Sequence, residues 1–358
     1  MSELAAFHRR LCLEGPRSWY ESALLAALLP LGWLYGVIGR IRAKLYDWKL
    51  LPSYRAPVPV ISVGNLSAGG TGKTPVVDYL VRRLLRQGLR VAVVSRGYGG
   101  RGVSGALVVS SGAGPAVEAA RCGDEPFLLA RRNPEALVVV AAKRKLGVRL
   151  AVEELGAQVV VLDDGFQHHA VRRDLNIVLV DAAKPFGNGH PLPAGLLREF
   201  PSALKRGQLF ILTRWQEGCA LPNLPGPVLR SRHVLASQAF DLEGRVVALE
   251  TLCACKVVAF AGIAAPEGFF RDLRRYGLNL VRTLALPDHV DYDEGVLQRL
   301  RDASAEAEIF ITTEKDAVKL KSDGLPLPCR QVPLVLEFME TAALDEALER
   351  LTADLSSH

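Results

Sequence analysis

The chain has 358 residues, of which 49% are hydrophobic and 23% are charged, and its formal net charge is +6. This composition is ordinary for a globular protein of about two domains, and it argues against a disordered or repeat-built chain. The small positive charge suits an anionic partner such as a nucleotide or a phospholipid surface. The sequence has no dense basic stripe with interleaved aromatic residues, so it does not predict a nucleic-acid partner. The six cysteines form no CxxC pair, so we expect neither a zinc knuckle nor a redox site, and a reducing cytosolic compartment fits best.

An uncharged stretch of 18 residues, SALLAALLPLGWLYGVIG, occupies positions 22–39. It is slightly short for a membrane span, which needs ~20 apolar residues, and it contains Pro30 and three glycines. Basic residues follow it and Trp and Tyr residues lie nearby, which is typical of a helix in the plane of a membrane interface. The sequence therefore predicts a membrane-associating helical segment over residues 1–50. A buried packing helix and a true span are the alternatives.

A glycine-rich loop follows the first predicted strand. Residues 58–63 read VPVISV, residues 64–75 read GNLSAGGTGKTP, and an amphipathic helical pattern comes next. This order of strand, loop and helix is the context of a Walker A phosphate loop, in which backbone N–H groups and the helix N-terminus bind phosphates. One position departs from the usual frame, because Ser67 stands where a glycine is expected.

Two residues of this loop have predicted side-chain roles in addition to the backbone cradle. Lys73 is expected to reach the β- and γ-phosphates of the nucleotide, and the Thr74 hydroxyl to bind Mg²⁺. The predicted nucleotide-binding residues are Gly69, Gly70, Thr71, Gly72, Lys73 and Thr74.

An acidic pair closes a second buried strand. Residues 159–162 read VVVL and are followed by Asp163 and Asp164. A buried strand that ends in a carboxylate is where P-loop enzymes hold Mg²⁺, and the preceding phosphate loop strengthens this interpretation. Asp163 is the first choice as metal partner, and Asp164 is expected to share the role. ATP and Mg²⁺ are the predicted cofactors.

The remaining pattern alternates strands and helices. Further buried strands are predicted over 91–95, 137–141, 176–181 and 208–213, with a helical pattern over 143–156. This predicts an α/β fold with a doubly wound, mostly parallel sheet of the P-loop NTPase type.

A second, smaller α/β domain is predicted towards the C-terminus. Residues 241–247 resemble a β connection, strands are predicted over 256–262 and 279–286, and a helix over 265–276. The predicted division is therefore a membrane-associating segment (1–50), a nucleotide-binding core (51–240) and a smaller domain (241–358). We expect the acceptor site between the two domains, closed by their approach.

The sequence resembles a known family. The run GNLSAGGTGKTP is similar to that of the tetraacyldisaccharide 4'-kinases, the lipid A 4'-kinases of Gram-negative bacteria. Seven further stretches match that pattern in order: SRGYGG (95–100), GDEP (123–126), DDGFQH (163–168), FGNGHPLPAGLLRE (186–199), FAGIAAPEGFF (260–270), PDHVDY (287–292) and TTEKDAVK (312–319). The resemblance covers roughly residues 15 to 320. One departure is that Val290 follows His289, where the family often has a second histidine.

The resemblance implies a reaction, a partner and a location. ATP would phosphorylate the 4'-hydroxyl of a tetraacylated, 1-phosphorylated glucosamine disaccharide, a membrane-embedded glycolipid. The enzyme would work at the cytoplasmic face of the inner membrane. The resemblance also implies that Asp124 is the catalytic carboxylate, assisted by His289, with a helix cap as the alternative role for Asp124.

Four further residues are candidates for substrate binding. Arg96 and Tyr98 follow a predicted strand, and a plain turn is the alternative there. Arg144 and Arg198 are candidates for anionic contacts because guanidinium groups chelate phosphate, with ordinary surface charge as the alternative. The segment 312–319 matches the family, but its role does not follow from the sequence.

A different functional class is also compatible with a phosphate loop. The alternative is a switch ATPase, or a metal-insertion or partitioning factor, that uses ATP without a lipid acceptor. A GTPase is disfavoured because no guanine-specifying N-K-x-D motif follows a late strand.

Overall fold

The structure, a computed structural model, describes residues 3–97, 105–263, 265–288, 290–353 and 355. Its strands are β1 (Val60–Asn65), β2 (Val91–Ser95), β3 (Ala106–Ser111), β4 (Leu137–Ala141), β5 (Val159–Asp163), β6 (Leu175–Asp181), β7 (Leu209–Thr213), β8 (Val228–Leu235), β9 (Gln238–Asp241), β10 (Val246–Ala248), β11 (Lys256–Ala261), β12 (Asn279–Ala285), β13 (Ile309–Thr313), β14 (Cys329–Val332) and β15 (Leu334–Phe338). Its α-helices are α1 (Glu3–Glu14), α2 (Trp19–Asp47), α3 (Lys73–Leu85), α4 (Ala119–Cys122), α5 (Asp124–Arg132), α6 (Arg144–Arg149), α7 (Pro266–Tyr276), α8 (Glu294–Ala303), α9 (Glu314–Ala317) and α10 (Ala342–Thr352).

The larger lobe is built on a nine-stranded sheet in the order β15-β8-β7-β6-β1-β5-β2-β4-β3. The strands from β8 to β4 run parallel, and the two edge strands β15 and β3 are antiparallel. The central strands consist mainly of Val, Ile and Leu side chains that are buried on both faces, which is the pattern of a helix-covered parallel sheet. Helices α3, α5 and α10 pack on one face and α6 packs on the other. The predicted doubly wound α/β fold is confirmed.

The smaller lobe is built on a six-stranded sheet in the order β10-β9-β14-β13-β11-β12. Helix α7 buries Phe269, Phe270 and Leu273 on one face, and α8 buries Leu300 and Ala303 on the other.

The C-terminal segment departs from the predicted division. The predicted smaller domain covered residues 241–358 and so included this segment, yet β15 pairs with β8 in the larger sheet. Leu344 and Leu348 of α10 also enter the core beneath that sheet. The apolar face of α10 is therefore buried against the larger lobe, and the chain crosses between the lobes twice.

Helix α2 is 29 residues long and mostly exposed. Its most apolar 18-residue stretch has a mean hydropathy of 1.7 and is only 11% buried. Two of its buried residues are Gly32 and Gly36, which contact the segment 191–200. A packing helix of a soluble domain would bury its leucine and aromatic side chains rather than its glycines.

Candidate active site

The parallel register brings the predicted phosphate and metal elements together. Strand β1 lies between β5 and β6, and Val63 pairs with Asp163. The carboxyl ends of β1, β5 and β2 therefore lie side by side, with the phosphate loop leaving β1 at this edge. Ligands of open α/β sheets bind at such an edge.

The phosphate loop is anchored by its carbonyl oxygens. Thr213 Oγ1 donates to the Thr71 carbonyl at 2.9 Å, and an Arg214 guanidinium nitrogen donates to the Gly70 carbonyl at 2.8 Å. In a trans peptide the next N–H points opposite to the carbonyl, so the N–H groups of Thr71 and Gly72 are directed away from β7. Neither anchoring residue was predicted, because Thr213 ends β7 and Arg214 follows it in a stretch that carries no motif.

Gly72 ends the loop with a positive φ of 78°, and a Cβ there would lie 2.6 Å from a ring carbon of His233. Ser67, the departure from the usual frame, makes a strand-like bridge to Leu197. The chain at this position is extended, so no glycine is required.

Lys73 begins α3 and faces the acidic pair. Its Nζ donates to Asn65 Oδ1 at 3.2 Å and lies 3.6 Å from Asp164 Oδ1. Asn65, the last residue of β1, is a site residue that motif reasoning passed over, although it lies inside the matching run.

Asp163 is buried at the end of β5. Ser95 Oγ donates to its Oδ2 at 2.9 Å, while its Oδ1 has no hydrogen-bond partner among the described residues. Burial, with a smaller contribution from nearby Glu125, raises the pKa of Asp163 to about 6. A buried carboxylate oxygen left without a partner is the arrangement that a bound cation satisfies.

Asp164 is already neutralised by two cations. It adopts a positive φ of 54°, and one Arg198 nitrogen lies 2.9 Å from both of its carboxylate oxygens. Burial alone would raise its pKa, but Lys73 and Arg198 together hold the pKa of Asp164 below its ordinary value. Asp163 therefore stays the first choice for a metal.

No group of three or more His, Cys, Asp or Glu side chains in the described part of the chain is arranged to hold a metal by itself. A P-loop magnesium ion needs no such group, because phosphate oxygens and water complete its shell. Asp163 and the half-buried Thr74 at the start of α3 fit that requirement.

Arg144 and Arg198 differ in their surroundings. Arg144 is 2% exposed and donates to the Ala141 and Asp163 carbonyls at 3.0 and 3.1 Å. These contacts hold Arg144 against the backbone of Asp163, whereas the Arg198 side chain keeps 25% of its surface exposed.

The structure describes two of the other predicted substrate and catalytic residues, Arg96 and Asp124. Arg96 is exposed directly after β2. Tyr98 and His289 lie outside the described residues. Asp124 is the first residue of α5, and Gly123 rather than Asp124 takes the N-cap position.

The Asp124 carboxylate faces the smaller lobe. Lys319 Nζ lies 3.0 Å from Asp124 Oδ2, and both side chains are largely shielded from solvent. The next residue, Glu125, is close enough to Asp163 to affect its pKa. The start of α5 therefore lies between the acidic pair and the smaller lobe.

A glycine loop between a parallel strand and a helix, with a buried aspartate on the neighbouring strand, defines a P-loop nucleotide-binding protein. A family model described as tetraacyldisaccharide-1-P 4'-kinase matches residues 24–353. The chain belongs to this family.

Individual relatives are similar along nearly the whole chain. A tetraacyldisaccharide 4'-kinase of Syntrophotalea carbinolica is 56% identical over 99% of both chains. One of Pelobacter propionicus is 47% identical over 98% of this chain and 99% of that protein. The crystal structure of LpxK from Aquifex aeolicus, an "apo" form in complex with ATP, has 33% identity and a TM-score of 0.79. That match covers 92% of this chain and 99% of the other.

Proposed function

We propose that this chain transfers the γ-phosphoryl group of ATP to the 4'-hydroxyl of a tetraacylated glucosamine disaccharide 1-phosphate, a step of lipid A biosynthesis. The observation that carries the proposal is the family match over residues 24–353, which includes the phosphate loop, the acidic pair and Asp124 together. Relatives named as 4'-kinases do not support the alternative of a switch ATPase or a metal-insertion or partitioning factor.

The nucleotide would occupy the edge formed by β1, β5 and β2. Its phosphates would lie against the N–H groups of residues 69–74 and the N-terminus of α3. Lys73 would turn from Asp164 to the β- and γ-phosphates, and Arg198 would remain to neutralise Asp164. The ion pair with Asp164 thus holds the Lys73 side chain next to the position that it would take on the phosphates.

Mg²⁺ bound with the nucleotide would supply positive charge that neutralises the phosphate oxygens during transfer. The Thr74 hydroxyl and the Asp163 carboxylate would hold it, with Ser95 and Arg144 fixing Asp163 through its other oxygen and its carbonyl.

The transfer itself needs a group that takes one proton. The acceptor 4'-oxygen bonds to the γ-phosphorus, the bond from that phosphorus to the β,γ-bridging oxygen breaks, and ADP leaves with that oxygen. The hydroxyl proton passes to the Asp124 carboxylate, assisted by His289.

The acceptor would be bound between the lobes. Arg96 and Arg198 are suited to the 1-phosphate, because guanidinium groups chelate phosphate oxygens, and Tyr98 would contact the sugar. Arg144 would act indirectly, through Asp163. The exposed apolar side chains of α2 would attach the protein to the cytoplasmic face of the inner membrane, where the acyl chains of the acceptor lie.

An acceptor-dependence assay tests the proposal. The chain is incubated with radiolabelled ATP, Mg²⁺ and the disaccharide 1-phosphate lipid in mixed micelles, and labelled bisphosphorylated lipid is expected. The matched control is the same lipid already phosphorylated at the 4'-position. Equal ATP turnover with and without the acceptor, and no labelled lipid, would overturn the proposal.

A further inference from the structure

The segment 312–319, TTEKDAVK, is rigidly held within the smaller lobe. Thr313 Oγ1 bonds to Asp316 Oδ2 at 2.6 Å, and the same carboxylate oxygen accepts from the Gly262 N–H at 3.0 Å. Asp316 is 1% exposed. The segment therefore has a fixed orientation from which the side chains of Glu314 and Lys319 reach the larger lobe.

These two side chains hold α5 at both of its ends. At the C-terminal end, Arg132 forms an ion pair with Glu314 and lies 3.0 Å from Asp78 of α3. At the N-terminal end, Lys319 Nζ lies 3.0 Å from Asp124 Oδ2. The exposed fractions of the paired side chains are 10% and 13% for Arg132 and Glu314, and 16% and 13% for Lys319 and Asp124. Pairs shielded to this degree are screened little by salt.

The Lys319 ammonium has a second acceptor. Its Nζ donates to the Val290 carbonyl at 3.2 Å, and the neighbouring Lys315 Nζ donates to Asp288 Oδ1 at 3.4 Å. Lysines of one segment therefore bind the chain on both sides of position 289, and one of them also binds the carboxylate of Asp124.

We propose that Lys319 is a positioning residue for phosphoryl transfer, whose ammonium fixes the Asp124 carboxylate and the backbone beside His289 in one arrangement. This inference rests on the proposed function, in which Asp124 accepts the proton of the acceptor hydroxyl. An ammonium carries three donors on a flexible stem, so it can serve both acceptors at once. Because Lys319 belongs to the smaller lobe and Asp124 to the larger one, the Asp124 carboxylate is oriented only while the two lobes are in contact.

The expected kinetic effect is a loss of turnover without a loss of nucleotide affinity. A misplaced carboxylate lowers the rate of transfer, while the phosphate loop does not contact Lys319. Lys319→Met, which keeps the length of the side chain, should lower kcat about 10- to 100-fold. It should leave the KM for ATP within about threefold. Lys319→Arg, which keeps the charge, should recover part of the lost kcat.

The test compares wild-type protein, Lys319→Met, Lys319→Arg and the exposed neighbour Lys321→Ala, with the disaccharide 1-phosphate lipid saturating. Lys321→Ala should match the wild type. Lys319→Met is also made in the Asp124→Asn background, where it should have little further effect. A full multiplicative loss in that background, or a near-normal kcat for Lys319→Met alone, would overturn the positioning role.

Two outcomes separate this inference from the proposed function. A wild-type chain that labels no lipid refutes the function itself, whereas an active wild type with a normal Lys319→Met variant refutes only the role of Lys319. A measurement that needs no Lys319 variant is the acylation rate of Lys319, followed by mass spectrometry. Asp124→Asn should speed the acylation of Lys319 and leave that of Lys321 unchanged, and an unchanged Lys319 rate would contradict the contact.

Discussion

Gly36 of α2 lies directly against the aromatic ring of Phe200, so that a Cβ at position 36 would come within 2.6 Å of two ring carbons. One turn earlier, a Cβ at Gly32 would come within 2.8 Å of the Pro191 carbonyl oxygen. The segment between these two contact points carries Arg198, which binds Asp164. The exposed helix therefore packs on the same segment that supplies the arginine bound to Asp164.

Gly36→Ala is expected to destabilise the protein, because the added methyl group overlaps a packed ring and overpacking costs about 1–3 kcal/mol. Gly39→Ala is the matched control, since a Cβ there meets only Glu199 Cγ at 3.7 Å. Replacing that mid-helix glycine should be neutral or stabilise by up to about 1 kcal/mol. Urea unfolding of both variants checks this, and equal effects at the two positions would contradict the observed contact.

The opposite face of α2 is expected to bind membranes. Leu34 and Ile38 are 51% and 57% exposed, so Leu34→Glu with Ile38→Glu should leave the free energy of unfolding nearly unchanged. Burial of one such side chain contributes about 1.5–3 kcal/mol, so binding to phosphatidylglycerol–phosphatidylethanolamine vesicles should weaken at least about tenfold. Vesicle sedimentation measures this. Val246→Glu, a 55% exposed position in the smaller lobe, is the control that should sediment as the wild type does.

In the larger sheet the sequence predicted the central strands well but missed β8 and the two antiparallel edge strands, β3 and β15, for a physical reason. Strands β2 and β4 have the bounds that their sequences predicted, since a parallel strand buried on both faces is a continuous apolar run. Strand β8 reads VLRSRHVL and buries only Leu229 and Ser231, and its antiparallel partner β15 lies about a hundred residues further along the chain. Such pairing depends on tertiary context that no local pattern records.

The candidate site shows the same contrast between features recorded in local sequence and contacts that depend on tertiary structure. The phosphate loop and Asp163 stand out in the sequence because their predicted chemistry needs adjacent residues in a fixed order. The contacts of Lys319 with Asp124 and of Arg214 with the Gly70 carbonyl join distant segments, and neither follows from spacing. The helix-cap alternative for Asp124 also could not be resolved from sequence, because Gly123 and Asp124 differ by a single position at the start of α5.

Lys73→Ala is expected to remove most phosphoryl transfer while the fold persists. The variant loses a charge directed at the transferring group, which should lower the rate on the order of 10²–10⁴-fold. Asp164 keeps its contact with Arg198, so the buried carboxylate is not left without a cation. The lipid-phosphorylation assay gives kcat, and Lys145→Ala on the exposed side of α6 serves as control. Near-normal turnover of Lys73→Ala would remove this lysine from the mechanism.

Asp163 should make the metal-free protein less stable as the pH rises. Its pKa is raised from 3.8 to about 6 by burial and by Glu125, so the folded state binds the proton more tightly than the unfolded state. The contribution of the neutral acid is fully present below pH 3.8 and is lost as the pH rises through about 6. The shift corresponds to about 3 kcal/mol at most.

Asp163→Asn, which mimics the neutral acid, should therefore unfold at a higher temperature than the wild type at pH 7 in the presence of a chelator. The difference should shrink between pH 6 and 4.5, because the wild-type carboxyl becomes neutral there. Thermal unfolding across this range measures the effect. Adding Mg-ATP should stabilise the wild type more than Asp163→Asn, and an equal gain would argue against Asp163 as a metal partner.

Asp124 and His289 are expected to act as one catalytic unit. The acceptor hydroxyl must lose its proton during transfer, and a carboxylate placed beside it assists even when it is only weakly basic. Asp124→Ala should lower kcat by about 10²–10⁴-fold and His289→Ala by less. If the two residues are coupled, the double variant should lose clearly less than the product of the two factors. ATP affinity should change little in each variant, because the phosphate loop is untouched.

The measurement is a double-mutant cycle on kcat with saturating lipid acceptor. Fully multiplicative losses would show that the two residues act independently, and wild-type turnover of Asp124→Ala would reduce Asp124 to a structural partner of Lys319.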